Sequence, residues 1–324
     1  MLLHILAILA GLALLVWASD RFVIGAAATA RRLRVSTLII GMIVVGFGTS
    51  APEMLVSATA AVTGAPALGI GNALGSNIAN IGLVIGVTAL IAPLTIQGGI
   101  VRREFMVLLA VTAVAMALVL PDAELSRLDG ILLSLTLIIA LAVLIHLSRT
   151  PHRPEDERDY DEPEEDAHLG LNAALAWLAL GLVGLLVASR VLVWGAVGVA
   201  QAVGVPDLVI GLTIVAIGTS LPELAAGIAS ALKREHELAV GNIIGSNIFN
   251  TAAVMGIPAL IAPTAVGHEV VVRDLPAVAV LTLVLLAFSL GRGGAGRIAR
   301  VKGGILLAAF AAYQYLLFTQ TAGS

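Results

Sequence analysis

The sequence predicts an all-α polytopic membrane protein of ten transmembrane helices, arranged as two inverted five-helix repeats with helices 2 and 7 broken. Three observations carry that expectation. The 324 residues are 59% hydrophobic and only 12% charged, about half the charged fraction of a soluble domain. Apolar runs of about 18 residues or more, enough to cross some 30 Å of hydrocarbon, recur along the whole chain. Finally, GTSAPE at 48–53 returns as GTSLPE at 218–223, and GNALGSNIAN at 71–80 returns as GNIIGSNIFN at 241–250.

Polar breaks place the spans at 2–28, 36–62, 66–92, 104–120, 129–147, 169–201, 208–232, 238–262, 274–290 and 303–319. Residues 1–19 lack a basic leader and run into further spans, so they read as the first span rather than a cleaved signal. The single long hydrophilic segment, 149–168, carries nine acidic residues and reads as a solvated linker. It separates an N-terminal five-span unit, 1–148, from a C-terminal one, 169–324.

Basic residues set the orientation. Arg31, Arg32, Arg34, Arg102, Arg103, Arg149, Arg153, Arg158, Lys233, Arg234, Arg292, Arg297, Arg300 and Lys302 all follow odd-numbered spans. Positive-inside topology then puts both termini outside and the 149–168 loop in the cytoplasm of a multi-pass protein of the cell (plasma or inner) membrane. The acidic residues of that loop do not oppose this, because the rule counts lysine and arginine.

The duplication extends beyond the motifs. At the same offset of 170, Ala18–Ser19 matches Ala188–Ser189, Gly25 matches Gly195 and Gly41 matches Gly211. Ile91–Ala92–Pro93 matches Ile261–Ala262–Pro263, and Arg103–Glu104 is echoed by Arg273–Asp274. A unit of five spans, repeated, enters the membrane the second time from the opposite side. Inverted repeats of this kind put substrate near the midplane, between discontinuous helices.

Pro52 and Pro222 lie inside spans 2 and 7, behind Gly48 and Gly218, and proline in a helix interior removes a donor and clashes one turn back. Breaks are expected there, and irregular backbone at membrane depth lines cavities or is buried in protein. Beside them stand Thr49, Ser50 and Glu53, and Thr219, Ser220 and Glu223. Spans 3 and 8 add Ser76 with Asn80 and Ser246 with Asn250, each pair four apart and on one helical face. Gly71 with Gly75, and Gly241 with Gly245, are small-xxx-small pairs expected to let helices approach closely. Asn72, Asn77, Asn242 and Asn247 read as ties between helices rather than ligands.

A lone Gly-Thr-Ser run is ordinary helix packing. A glutamate inside the membrane costs at least about 2.5 kcal/mol and marks function, and here two occupy duplicated contexts. The donor set is hydroxyl, amide, carboxylate and carbonyl oxygen, which suits sodium, calcium or magnesium rather than zinc or copper. Calcium, with six to eight flexible oxygen ligands, matches two carboxylates better than magnesium does. With no cysteine, thiolate sites and disulfides are excluded. The six histidines lie at span ends or in loops and are discounted as ligands. No basic patch supports nucleic-acid binding, and no nucleotide loop or nucleophile–base pair supports an enzyme.

The paired motifs GTSAPE…GNALGSNIAN and GTSLPE…GNIIGSNIFN resemble the two α-repeats of the sodium/calcium exchanger family, within the cation/calcium antiporter superfamily. The resemblance covers essentially the whole chain. It implies broken helices 2 and 7 against 3 and 8, with long, tilted first and sixth helices sliding over that core. It also implies electrogenic exchange of sodium for calcium. Carried onto this chain, Glu53 and Glu223 become the central calcium ligands. Thr49, Ser50, Ser76, Thr219, Ser220 and Ser246 complete calcium and sodium positions with the carbonyls of Gly46 and Ala216, and Asn80 and Asn250 fill the remaining pair. Some family members have aspartate at the position of Asn250; this chain has asparagine in both halves and so lacks a third carboxylate.

The expectation is therefore a secondary active antiporter with calcium, sodium and the lipid bilayer as partners, no cofactor, and a single subunit. Coupling to protons or potassium, or another divalent substrate, is the alternative. A cation channel is a more remote one.

Overall fold

A computed structural model of the protein describes residues 1–148, 169–205, 214, 216–290 and 295–322. The 149–168 linker, Gly211 and the head of the seventh span lie outside the described residues. The helices are α1 (Leu2–Leu33), α2 (Thr37–Val62), α3 (Pro66–Ile91), α4 (Gly98–Val119), α5 (Arg127–Ser148), α6 (Leu171–Ala202), α7 (Leu221–Leu232), α8 (His236–Ile261), α9 (Val270–Ser289) and α10 (Arg300–Ala322). One helical turn, Ala216–Thr219, precedes α7. Among the described residues eight helices are long and apolar enough to cross a membrane; α4 and α7 fall outside that set.

Burial separates core from periphery. The most apolar windows of α8 and α3 are 83% and 72% buried, against 22% for α1 and 17% for α10. An apolar helix left uncovered by protein faces lipid, so α2, α3, α7 and α8 form the centre, where they pack on one another.

α1 and α6 are each 32 residues long, about 48 Å at 1.5 Å per residue. That exceeds a bilayer core of about 30 Å. α1 runs past its expected end at residue 28, because nothing stops it before Arg34. There a left-handed residue (φ 57°) lets Val35 N–H reach Ala30 O at 3.0 Å, a Schellman-type ending. α1 and α6 lie antiparallel along much of their length, with Gly11 against the Leu192 backbone and Gly181 against that of Phe22.

Pro222 behaves as expected. Ser220 leaves helical geometry between the Ala216–Thr219 turn and α7, and Pro222 falls in the first turn of α7, where its missing N–H has no cost. Pro52 does not. Helical geometry continues through it across Gly46–Val62, and the departure from α-helix comes earlier, in the π-helical stretch Ile40–Val45. The expected break in helix 2 is thus a wide turn upstream of Gly48. Local π adjustment makes a proline tolerable in a packed membrane helix; at the end of the π stretch the Thr49 hydroxyl donates to Val45 O at 3.1 Å.

Further π stretches run over Asn80–Ile85 and Asn250–Val254, beginning at residues 170 apart, and over Val270–Asp274. Four short strands have no counterpart in the sequence reading. Leu94–Gln97 pairs antiparallel with Ala295–Ile298, and Glu124–Leu125 with Thr264–Ala265. Each pair joins a segment of one half to a segment of the other.

Candidate cation site

The site is assembled where α2 crosses α8. A Cβ on Gly241 or Gly245 would run into the carbonyl oxygen of Leu38 or Met42, and one on Gly46 would lie 2.9 Å from the Gly245 carbonyl carbon and from Ser246 N. This small-residue pair therefore brings two backbones into contact, as its spacing predicts. Among the described residues nothing lies within 4 Å of a Cβ built on Gly71 or Gly75; positions 208 and 212, which match Leu38 and Met42, lie outside the described residues.

Close approach carries polar side chains inward. Of the ten side chains singled out, Thr49, Ser50, Glu53, Ser76, Asn80, Ser220, Glu223, Ser246 and Asn250 are each 5% exposed or less. Thr219 is half-buried, in the turn that Ala216 opens. The Thr49 hydroxyl lies 3.1 Å from Ser246 Oγ and 3.2 Å from Asn242 Oδ1, and α7 packs on α8 beside them. Residues from α2, α7 and α8 are thereby gathered at one point, with the backbone of Gly46 directly against Gly245–Ser246.

α3 joins through amides. Asn80 Nδ2 donates to Asn247 Oδ1 at 3.0 Å, Asn77 Nδ2 to Thr251 Oγ1 at 2.8 Å, and Asn72 Nδ2 to Glu53 O at 3.2 Å. Asn72, Asn77 and Asn247 are the interhelical ties their positions suggested. Thr251 was not anticipated; its match in the first half is Ile81, so the repeat offered no signal for it. The contact of Asn242 with the Thr49 and Ser246 hydroxyls was also missed, although Asn242 and Ser246 are one turn apart.

The buried acceptors show what the site lacks from the protein itself. Ser50 Oγ, Glu53 Oε2, Asn80 Oδ1, Glu223 Oε2 and Asn250 Oδ1 are inaccessible to solvent and accept no hydrogen bond among the described residues. A buried polar atom left unpaired is expensive and is rare in native proteins. Five such oxygens on four adjacent helices, two of them from carboxylates, form a donor set that a cation would satisfy. Among the described residues no three His, Cys, Asp or Glu side chains cluster as a metal site, so the arrangement rests on two carboxylates and neutral oxygens, a hard-cation donor set.

Elsewhere Arg21 lies over the Trp177 ring, 5.0 Å from its centroid, while Asp20 is held by Lys233 at 2.7 Å. Arg31 pairs with Glu235 at 3.2 Å. Both pairs tie α1 to the connection between α7 and α8.

The family model described as sodium/calcium exchanger protein matches residues 3–146 and 173–319. The chain is 47% identical to the putative antiporter CaxA of Alkalimonas amylolytica, covering 98% of this chain and all of that protein. It is 31% identical to the sodium/calcium exchanger MaX1 of Methanosarcina acetivorans over 97% of this chain and 98% of its relative. Among solved structures, the sodium-calcium exchanger NCX_Mj soaked without Na+ and Ca2+ superposes with a TM-score of 0.83 at 33% identity, covering 98% and 99% of the two chains.

Proposed function

The chain belongs to the sodium/calcium exchanger family, a family of transporters rather than enzymes, and we propose that it is a secondary active antiporter exchanging sodium for calcium at the oxygen cluster between α2, α3, α7 and α8. The observation that carries this reading is the set of buried acceptors on Ser50, Glu53, Asn80, Glu223 and Asn250 that have no partner among the described residues.

Two carboxylates in a low-dielectric interior cannot stay uncompensated. One divalent ion, or several monovalent ones, neutralises them; the empty site is costly, and that cost discourages passage without exchange. Glu53 and Glu223 supply the charge. Thr49, Thr219, Ser50, Ser220, Ser76, Ser246, Asn80 and Asn250 supply neutral oxygens, with the carbonyls of Gly46 and Ala216. Asn250 in place of a carboxylate leaves the negative charge at two, matched to one calcium.

Halves 1–148 and 169–324 form inverted five-helix repeats around this site, and alternating access follows from movement of the long, tilted α1 and α6 over the core. The offset-matched π stretches at Asn80 and Asn250 and the strand pairs joining the halves support the repeat. Both termini lie outside and 149–168 in the cytoplasm, from the distribution of basic residues.

The test is radiolabelled-calcium flux in proteoliposomes with Glu53→Gln and Glu223→Gln. Either change keeps volume and removes a charge, so flux is expected to vanish while the protein still purifies folded. Near-normal flux in either variant would sink the proposal.

A further inference from the structure

Asn242 stands behind two of the proposed ligands rather than among them. Its Oδ1 lies 3.2 Å from Thr49 Oγ1 and 3.4 Å from Ser246 Oγ, and the residue is 1% exposed. A hydroxyl has one proton and two lone pairs, and it can ligate a cation only when its proton points to some other acceptor. Among the described residues the acceptors within reach of Thr49 are Val45 O at 3.1 Å, Asn242 Oδ1 and Ser246 Oγ. Ser246 Oγ is itself a proposed ligand, so a proton placed on it occupies a lone pair the ion needs. For Ser246 the acceptors are Asn242 Oδ1 and Thr49 Oγ1, and again only the first is not a ligand.

From this geometry we infer that Asn242 is a positioning residue whose Oδ1 takes the hydroxyl proton of Ser246, and shares that of Thr49 with Val45 O, turning both oxygens toward the bound cation. The inference deepens the exchanger reading and rests on it.

The repeat shows that this duty is not general to the motif. Asn72, the counterpart of Asn242, instead donates its amide to Glu53 O at 3.2 Å and Ser57 Oγ at 3.3 Å. Ser57 is matched by Gly227, which has no hydroxyl to hold the Asn242 amide in the same way. The two asparagines thus meet different hydroxyls, and only Asn242 meets those of Thr49 and Ser246.

The ion most affected is sodium. A divalent ion is held chiefly by the two carboxylates, which Asn242 does not touch in this arrangement, whereas a monovalent ion depends proportionately more on neutral oxygens. The experiment is radiolabelled-calcium binding to the purified full-length protein, alone and in competition with sodium, for wild type, Asn242→Leu and Asn242→Asp. Leucine has similar volume and no acceptor; aspartate keeps the acceptor. The expected result is a rise of at least about tenfold in the sodium concentration needed to displace calcium in N242L, with a smaller factor for calcium itself. N242D should hold sodium at least as tightly as wild type. Equal weakening of both ions in N242L, no change in either, or a sodium loss in N242D matching that of N242L overturns the inference. If N242L does not purify folded, N242D decides alone: a tenfold loss of sodium competition overturns the assignment. A wild type that binds no calcium instead overturns the functional reading beneath it.

Discussion

Gly46→Ala places a methyl group between α2 and α8 at the level of the candidate site. The added carbon would stand 2.9 Å from the Gly245 carbonyl carbon and from Ser246 N, and 3.0 Å from Gly245 Cα, where optimal contacts between carbons are about 3.5–4.0 Å. All three neighbours are backbone and cannot rotate away, so the helices must part by about 0.6–1 Å. The Thr49–Ser246 contact, now 3.1 Å, would open to about 4 Å, beyond hydrogen-bond range. Overpacking of this kind costs about 1–3 kcal/mol. It should also weaken calcium, because metal–ligand distances tolerate only about 0.2 Å. The assay is thermal unfolding of the purified protein with and without calcium: G46A should melt lower and gain less from calcium. Gly71→Ala is the matched control. Gly71 is exposed and has nothing within 4 Å among the described residues, so alanine should be neutral or stabilise α3 by up to about 1 kcal/mol. Wild-type melting and an undiminished calcium effect in G46A would refute the reasoning.

Thr251→Val keeps shape but leaves the buried Asn77 amide without the oxygen it now meets at 2.8 Å; a loss of about 1–3 kcal/mol is expected, measured by thermal unfolding. Lys233→Ala removes a pair whose partners are 29% and 40% exposed, so stability should fall by less than about 1 kcal/mol, and less still at high salt. Ser189→Ala removes the 2.7 Å bond from α6 to Gly218 O at the interruption before α7. That buried carbonyl is left short of a donor, and melting is expected to drop by the equivalent of about 1 kcal/mol or more.

How much of this was legible depends on whether the governing contact is local. The interruption before Pro222 was, because proline's missing donor and the glycine before it act within one turn. Pro52 carries the same local penalty, yet α2 stays helical across it, and the departure from α-helix at Ile40–Val45 lies upstream of the GTSAPE motif. Gly241–Gly245 and Gly71–Gly75 are the same pattern, and among the described residues only the first meets a backbone. The strand pairs bring together segments some 140 to 200 residues apart, which no periodicity announces. Burial of the predicted ligands was legible in full for nine side chains, because the duplication marked them. The division of labour between Asn72 and Asn242 was not, since it shows only in which hydroxyls each side chain meets.

The central claim is that the buried oxygen cluster couples calcium movement to sodium. Its most direct measurement is calcium uptake into proteoliposomes of the purified protein, comparing an outward sodium gradient, an outward proton gradient and no gradient, with voltage clamped by potassium and an ionophore. The account predicts uptake that requires internal sodium and responds to voltage. Uptake driven by protons alone, or passive uptake indifferent to any gradient, would contradict it.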